Sequence, residues 1–264
     1  MRTDSQLRDI AAGERLIFAL DVPNDELAME LVRKLTPSVK YFKVGLELFL
    51  AGGFQVIDRI GQAGGKVFLD LKMLDIPETI RNALRVIATQ HKTIGFATIH
   101  VLNTGFEDFL TDSKIPENLK VLVVTVLTSM DDGDWAGTGA TTNVQETVAH
   151  LTDRALKLGC HGVIASGQEA RNLRDSYGEG FLIVAPGIRP VGMHVQNDDQ
   201  KRTSTPRDAI VNGADYIVVG RPIRNAPDPL EAARAIQVEI EAALKERKSS
   251  SSESKNGPRL QAVV

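Results

Sequence analysis

The sequence has little of what marks several common protein classes. Its 264 residues include one cysteine, Cys160, and one tryptophan, and the formal net charge is only −3. One cysteine cannot form an intrachain disulfide, which favours a reducing compartment, and so small a net charge gives no indication of nucleic-acid binding. No apolar run approaches the length of a membrane span, and the N-terminal stretch MRTDSQLRDIAAGER lacks the apolar core of a signal peptide. The sequence therefore predicts a soluble, cytoplasmic protein that binds neither nucleic acid nor membrane.

The single cysteine lies beside a histidine in the run GCHG at 159–162. Such a neighbouring pair can indicate a metal site or a nucleophile. One cysteine and one histidine fall far short of a zinc-binding set, however. We therefore interpret Cys160 as a buried thiol with a packing role.

Short apolar segments alternate with amphipathic segments along most of the chain. The predicted helices include 25–35, which follows the N-cap residue Asn24, 77–90, 144–159 and 228–248. The predicted strands are 16–21, 41–46, 66–72, 96–102, 121–127, 162–166, 181–186 and 216–220. Eight strand–helix units predict an α/β fold, a (β/α)8 TIM barrel in a single domain. The alternative is a doubly wound open sheet, which usually has fewer units, and the first strand–helix turn lacks the glycine-rich dinucleotide motif.

The composition also divides the chain into segments. We expect an N-terminal extension at 1–13, the catalytic barrel at 14–248 and a disordered serine-rich tail at 249–264. The segment 186–206 shows no periodicity. A loop of that length inside a barrel is typical of a lid or a binding loop.

Strand alternation predicts which charged side chains point into the barrel. In each of the first three strands one face is aliphatic and suits the surrounding helices, so the opposite face points inward. The inward face carries four charged residues near the C-terminal strand ends, where barrel active sites are built: Asp21, Lys43, Asp70 and Lys72. Four groups of alternating sign on neighbouring strands favour a functional site over solvated strand ends.

Two uses of these charges remain open at this stage. A positioned ammonium can stabilise a developing carbanion and then donate a proton to it. Alternatively, Asp70 and Asp75 can ligate Mg²⁺, although the lysine between them argues against a metal because its charge competes with the ion.

The loops after the last two strands predict a phosphate site. Gly220 and Arg221 end the eighth strand, and the segment PGIRP, which contains Arg189, ends the seventh. Glycine amides and a guanidinium suit a phosphate group at this place in a barrel. Gln200 and Arg202 in the long loop are expected to close over the same group.

Taken together, six segments resemble orotidine 5′-phosphate decarboxylases of the shorter bacterial form, over residues 14–245. They are FALD, FKVGLELF, FLDLKMLDIPETI, LTSM, APGIRP and VVGRPI. The resemblance implies decarboxylation of orotidine 5′-monophosphate to UMP and CO₂, the last step of de novo pyrimidine synthesis, with neither metal nor cofactor. It also implies a homodimer.

The resemblance further implies a role for each matching residue. Lys72 would protonate C6 of the pyrimidine, Asp70 would lie beside the substrate carboxylate, and Lys43 would complete the charge network and touch the ribose region. Asp75 and Thr79 would reach the neighbouring subunit's site.

The remaining residues would bind the rest of the substrate. Asp21 would bind a ribose hydroxyl, Ser129 would contact the pyrimidine edge, and Thr128 would line the pocket, although both of the latter also suit an ordinary turn. The lid and the phosphate would be held by Arg189, Gln200, Gly220 and Arg221. Two rivals stay open: a Mg²⁺-dependent phosphosugar lyase and a non-catalytic barrel that binds a phosphorylated nucleotide.

Overall fold

Eight parallel strands close into a barrel in which each strand pairs with its sequence neighbours and β1 pairs with β8. The computed structural model describes residues 10–102, 118–192 and 198–255, with side chains described as far as Ser249. The strands are β1 Leu16–Ala19, β2 Tyr41–Gly45, β3 Lys66–Met73, β4 Ile94–His100, β5 Lys120–Val124, β6 Gly162–Ile164, β7 Leu182–Ala185 and β8 Tyr216–Val219. The predicted TIM barrel is thus confirmed, and the open sheet is excluded.

Helices lie between the strands and cover the outside of the barrel. They are α1 Asp25–Leu35, α2 Leu46–Gln62, α3 Pro77–Gln90, α4 Asp132–Gly137, α5 Val144–Lys157, α6 Ala170–Tyr177, α7 Pro206–Val211, α8 Arg221–Arg224 and α9 Pro229–Lys255. The Asn24 side chain accepts a hydrogen bond from the amide of Leu27 at 3.0 Å, as expected of an N-cap. Within α2 the chain kinks at Gly53, whose φ of 54° suits glycine.

The last helix extends further than predicted. We expected helix 228–248 and a disordered tail from 249, but α9 continues to Lys255. The hydroxyl of Ser249 donates to the carbonyl of Lys245 at 2.8 Å, which shows how a serine is accommodated within a continuing helix. Residues 256–264, and most of the predicted extension at 1–13, lie outside the described residues.

The two faces of the strands belong to separate hydrophobic clusters, as the alternation predicted. Leu16, Phe18 and Leu20 belong to the large cluster between barrel and helices, whereas Ile17 and Ala19 belong to the cluster inside the barrel. Cys160 is buried in the outer cluster, and desolvation raises its pKa to about 12, which agrees with a packing role.

Aromatic rings fill the interior of the barrel below its mouth. The ring of Phe96 lies 5.0 Å from that of Tyr41, 5.1 Å from that of Tyr216 and 5.9 Å from that of Phe68, measured between centroids. Tilted and edge-on contacts of this kind bury much apolar area and fix ring orientation. Within the described residues, these rings therefore make the interior of the barrel a packed core.

A buried ion pair holds the opposite end of the barrel together. Arg174 of α6 donates to Asp215 at 2.6 Å, and the side chains of both residues are almost completely buried. The same carboxylate oxygen accepts the amide of Ile183 on β7 at 2.9 Å, and Arg15 donates to the backbone carbonyl of Asp215 at 3.0 Å. These contacts join α6 to the starts of β1, β7 and β8.

In the part of the chain that the structure describes, no helix is long and apolar enough to cross a membrane.

We predict that Asp215→Asn lowers the free energy of unfolding by about 3 kcal/mol, because it removes the buried carboxylate 2.6 Å from the Arg174 guanidinium and leaves the more distant, more exposed Glu179 at 3.6 Å. Equilibrium unfolding of the wild type and of the variant in guanidinium chloride measures the difference in the free energy of unfolding. The matched control is Asp175→Asn, which removes an exposed carboxylate from the same helix and should cost less than about 0.5 kcal/mol. Equal effects of the two variants would contradict this assignment.

Candidate active site

A cavity of about 300 Å³ opens at the C-terminal ends of the strands, where the sequence placed the site. It is lined by ten of the predicted residues: Asp21, Lys43, Asp70, Lys72, Thr128, Ser129, Arg189, Gln200, Gly220 and Arg221. Residues contributed by six different loops and strands thus converge on one space.

Four charged side chains form a row of alternating sign along one wall of the cavity. Lys72 Nζ lies 2.7 Å from Asp70 Oδ2, and Lys43 Nζ lies 3.8 Å from that same oxygen and 2.8 Å from Asp21 Oδ1. The exposed fraction is 10% for the Asp70 side chain and 13% for Lys43, against 52% for Asp21. Exposure is therefore lowest in the middle of the row, at Asp70 and Lys43, and higher at its two ends, Lys72 at 35% and Asp21. Two buried charges are stabilised there by opposite charges on either side.

The backbone under this row departs from a regular strand. Leu69 pairs with Ala97 and Met73 pairs with Ile99, so three residues of β3 lie opposite one residue of β4. Lys72, within this bulge, has a φ of 49° and is the one non-glycine residue with positive φ among those that the structure describes. Bulges of this kind re-aim side chains next to active sites, and such strain must be held by surrounding contacts.

Thr98 is a site residue that the sequence reasoning missed. Its side chain is fully buried on β4, its hydroxyl donates to Asp70 Oδ1 at 3.0 Å and it accepts the backbone amide of Lys72 at 2.9 Å. Applying the inward–outward alternation to the fourth strand as well would have placed Thr98 on the same face as Phe96. A buried hydroxyl on the inward face, next to the strand that carries Asp70 and Lys72, was therefore detectable from the pattern.

Two arginines stand at the opposite end of the cavity. Arg189 makes a two-pronged ion pair with Asp198, at 2.7 and 2.5 Å, and Arg221 donates to Asp198 at 2.9 Å and also pairs with Asp199. The Arg189 hydrogen bond is the main reason why the pKa of Asp198 lies below its usual value. A Cβ at Gly220 would lie 3.3 Å from that of Ala19, so glycine leaves room for close approach at this end.

Arg202 does not reach this end, which corrects the expectation that it closes over the phosphate. Its guanidinium pairs with Glu169 and donates to the carbonyls of Met130 at 3.1 Å and of Val126 and Leu127 at 2.9 Å. The backbone carbonyls that follow β5 bind the Arg202 guanidinium in place of a phosphate. Sequence spacing does not reveal such carbonyls. Arg202 thus anchors the loop after β7 beneath the cavity.

Two further contacts fix the same loop to the segment after β5. The hydroxyl of Thr128 donates to Gln200 Oε1 at 2.5 Å, and Lys201 Nζ lies 2.8 Å from Asp131 and 2.6 Å from Asp134. The hydrogen bond from Lys201 lowers the pKa of Asp131 to about 2. Between 186 and 206 the described residues form no helix or strand before Pro206, apart from one bridge of Ile188 to Ser204, while residues 193–197 lie outside the described residues.

Asp75 and Thr79 do not line the cavity of their own chain. Both are exposed, and Asp75 Oδ1 accepts the amide of Ile76 at 2.7 Å. The alternative of a magnesium site built from Asp70 and Asp75 therefore lacks support, because Asp70 is bonded to Lys72 and Thr98 instead. No group of three or more His, Cys, Asp or Glu side chains suited to a metal ion occurs in the described residues.

The fold and the cavity define a (β/α)8 barrel with a row of charges at one side of its mouth and paired arginines at the other. A family model described as "Orotidine 5'-phosphate decarboxylase / HUMPS family" matches residues 14–236. The chain belongs to this family.

Individual relatives agree with the family match over most of their length. The orotidine 5′-phosphate decarboxylase of Desulfosudis oleivorans is 45% identical over 253 residues, which cover 93% of this chain and 100% of that protein. That of Methylococcus capsulatus is 44% identical over 234 residues, covering 88% of this chain and 94% of that protein. The crystal structure of the Lactobacillus acidophilus enzyme superposes with a TM-score of 0.72 at 37% identity, covering 86% and 99% of the two chains.

We predict that the charges of the row are measurable through His100, at the end of β4. Desolvation lowers the pKa of His100, the positive charge of Lys72 lowers it further, and Asp70 opposes both. Lys72→Met should therefore raise the pKa of His100, whereas Asp70→Asn should lower it, as followed by NMR titration of the imidazole. Lys157→Met on α5 is the control. Shifts in the same direction for both variants would contradict the geometry.

Proposed function

We propose that the protein decarboxylates orotidine 5′-monophosphate to UMP and CO₂, the last step of de novo pyrimidine synthesis, and that Lys72 supplies the proton. The observation that carries the proposal is the ion pair of Lys72 Nζ with Asp70 inside the barrel mouth, in a chain of this family. The cytoplasm is the compartment we expect for this activity.

The chemical step needs stabilisation of negative charge at one carbon. Breaking the bond from C6 to the carboxyl group releases CO₂ and leaves the bonding electron pair on C6. The ammonium of Lys72, paired with Asp70, would stabilise that carbanion and then transfer a proton from Nζ to C6. The neutral amine regains its proton from solvent. This sequence balances without a cofactor or a metal ion, and we expect neither.

The other lining residues suit the parts of the substrate. The carboxylate of Asp70 would stand beside the substrate carboxylate. The more exposed Asp21 would bind a ribose hydroxyl, and Lys43 would touch the ribose region. Ser129 would bind the pyrimidine edge next to Thr128. At the far end the phosphate would be held by Arg189, Gln200, Gly220 and Arg221. Binding a group so far from C6 offers energy that can be used for catalysis at the reacting end.

We also propose a homodimer in which Asp75 and Thr79 enter the partner's site. A second cavity of about 220 Å³ adjoins the charge row from the side of α2, where Leu46 and Glu47 line it. Large apolar side chains are exposed in this region and on the segment that carries Asp75: Leu46, Leu50, Leu74 and Ile76. An exposed apolar patch beside an open cavity is typical of an interface between copies.

A Mg²⁺-dependent phosphosugar lyase and a non-catalytic phosphonucleotide binder are the alternatives to this assignment. The lyase requires a divalent ion near Asp70, where the structure has the ammonium of Lys72 at 2.7 Å. The binder has no use for that ammonium. One assay separates all three.

We expect purified protein to consume the ultraviolet band of orotidine 5′-monophosphate in excess EDTA, and Lys72→Ala to reduce kcat at least about 1,000-fold by removing the proton donor. Lys157→Ala, an exposed lysine on α5, is the control and should match the wild type. Activity abolished by EDTA and restored by Mg²⁺ with a sugar phosphate would favour the lyase. Tight binding of UMP without turnover would favour the binder.

Mixing two inactive variants tests the shared site. If Asp75 acts in the partner's site, random reassociation of Lys72→Ala with Asp75→Asn restores one complete site per mixed dimer, or about a quarter of wild-type activity. The control mixes Lys72→Ala with Asp70→Asn, whose residues lie in one chain's site, and should restore nothing. Activity that stays at background in both mixtures would refute the shared site.

A further inference from the structure

Thr98 lies at the junction of the two groups that the proposed chemistry uses. Its hydroxyl can donate one hydrogen bond and accept others, and in the structure it does both at once. It donates its proton to the inner oxygen of Asp70, Oδ1, and accepts the backbone amide of Lys72. The outer oxygen of Asp70, Oδ2, is thereby left for the ammonium groups of Lys72 and Lys43.

The bulge in β3 makes this hydroxyl necessary. In a regular parallel pair the amide of Lys72 would take a carbonyl of the neighbouring strand. Here Asp70, Leu71 and Lys72 all lie opposite Thr98, and Lys72 has positive φ. The Thr98 side chain therefore replaces the missing carbonyl, and it holds a backbone conformation that a lysine would otherwise avoid.

We propose that Thr98 is a positioning residue for decarboxylation: it fixes the rotation of the Asp70 carboxylate and the backbone of Lys72 together, so that Nζ is aimed at the reacting carbon. This inference rests on the proposed function for its kinetic consequence, whereas its structural part stands on the two hydrogen bonds alone. Thr98 is not among the residues that line the cavity, so we expect it to act through Asp70 and Lys72 and not by contact with the substrate.

The consequence concerns the rate and not the affinity. The phosphate end is on the other side of the cavity, where Arg189 and Arg221 pair with Asp198. Loss of the hydroxyl leaves an unpaired buried oxygen on Asp70 and an unpaired amide on Lys72, so both groups are expected to move. A displacement of the proton donor on the ångström scale is enough to slow a positioned reaction strongly.

The test compares Thr98→Val, which keeps the shape and removes the hydroxyl, with Thr98→Ser, which restores it. We expect Thr98→Val to lower kcat about 100-fold. The KM for orotidine 5′-monophosphate and the affinity for UMP should stay unchanged, and Thr98→Ser should recover most of the rate. The matched control is Thr125→Val, which removes another buried hydroxyl that donates to a strand carbonyl, that of Ile164, at 2.9 Å. It should change thermal stability but not kcat.

A second measurement is independent of turnover. Hydrogen exchange of the Lys72 amide, followed by NMR, should accelerate in Thr98→Val and not in Thr98→Ser or Thr125→Val. A Thr98→Val protein with wild-type kcat and wild-type exchange would overturn the proposal. Inactivity of the wild-type protein would instead refute the proposed function, while amide exchange would still decide whether Thr98 holds Lys72.

Discussion

The carboxylate of Asp70 is the constraint on which the site depends. A nearly buried charge is costly unless every side of it has a partner. Here Oδ2 faces the ammonium of Lys72 and, further away, that of Lys43, while Oδ1 accepts the hydroxyl of Thr98. Those three partners come from three adjacent strands. The parallel pairing of β2 with β3 and of β3 with β4 brings them to one point.

At both ends of the cavity, positively charged side chains are paired with carboxylates. At the end that holds the charge row, ammonium groups alternate with carboxylates. At the opposite end of the cavity, Arg189 and Arg221 are paired with the neighbouring carboxylates of Asp198 and Asp199. On the proposed function, an anionic ligand arriving at the arginines would have to displace these carboxylates.

The sequence predicted the parts of this structure that follow from periodicity. Alternation along β1 to β3 placed Asp21, Lys43, Asp70 and Lys72 on one wall, and the eight strands appeared at the predicted positions. Contacts that depend on local departures from regularity were not predictable in this way. The bulge at Lys72 arises from the mismatch of β3 with β4. Arg202 was misassigned because its partners are Glu169, distant in the sequence, and backbone carbonyls, which carry no signal in the sequence. The end of α9 was misplaced because serines are acceptable, although not favourable, within a helix.

The ring cluster of Tyr41, Phe96 and Tyr216 determines how small molecules can enter and leave the cavity. These rings fill the barrel beneath the charged wall, so within the described residues the cavity is a well with a closed bottom. Reactant, product and exchanging water must use the same opening. A molecule bound at the rim, beside the arginines, would therefore block the exit of anything bound deeper in the cavity. Whatever lies deeper can leave only after the group at the rim has left.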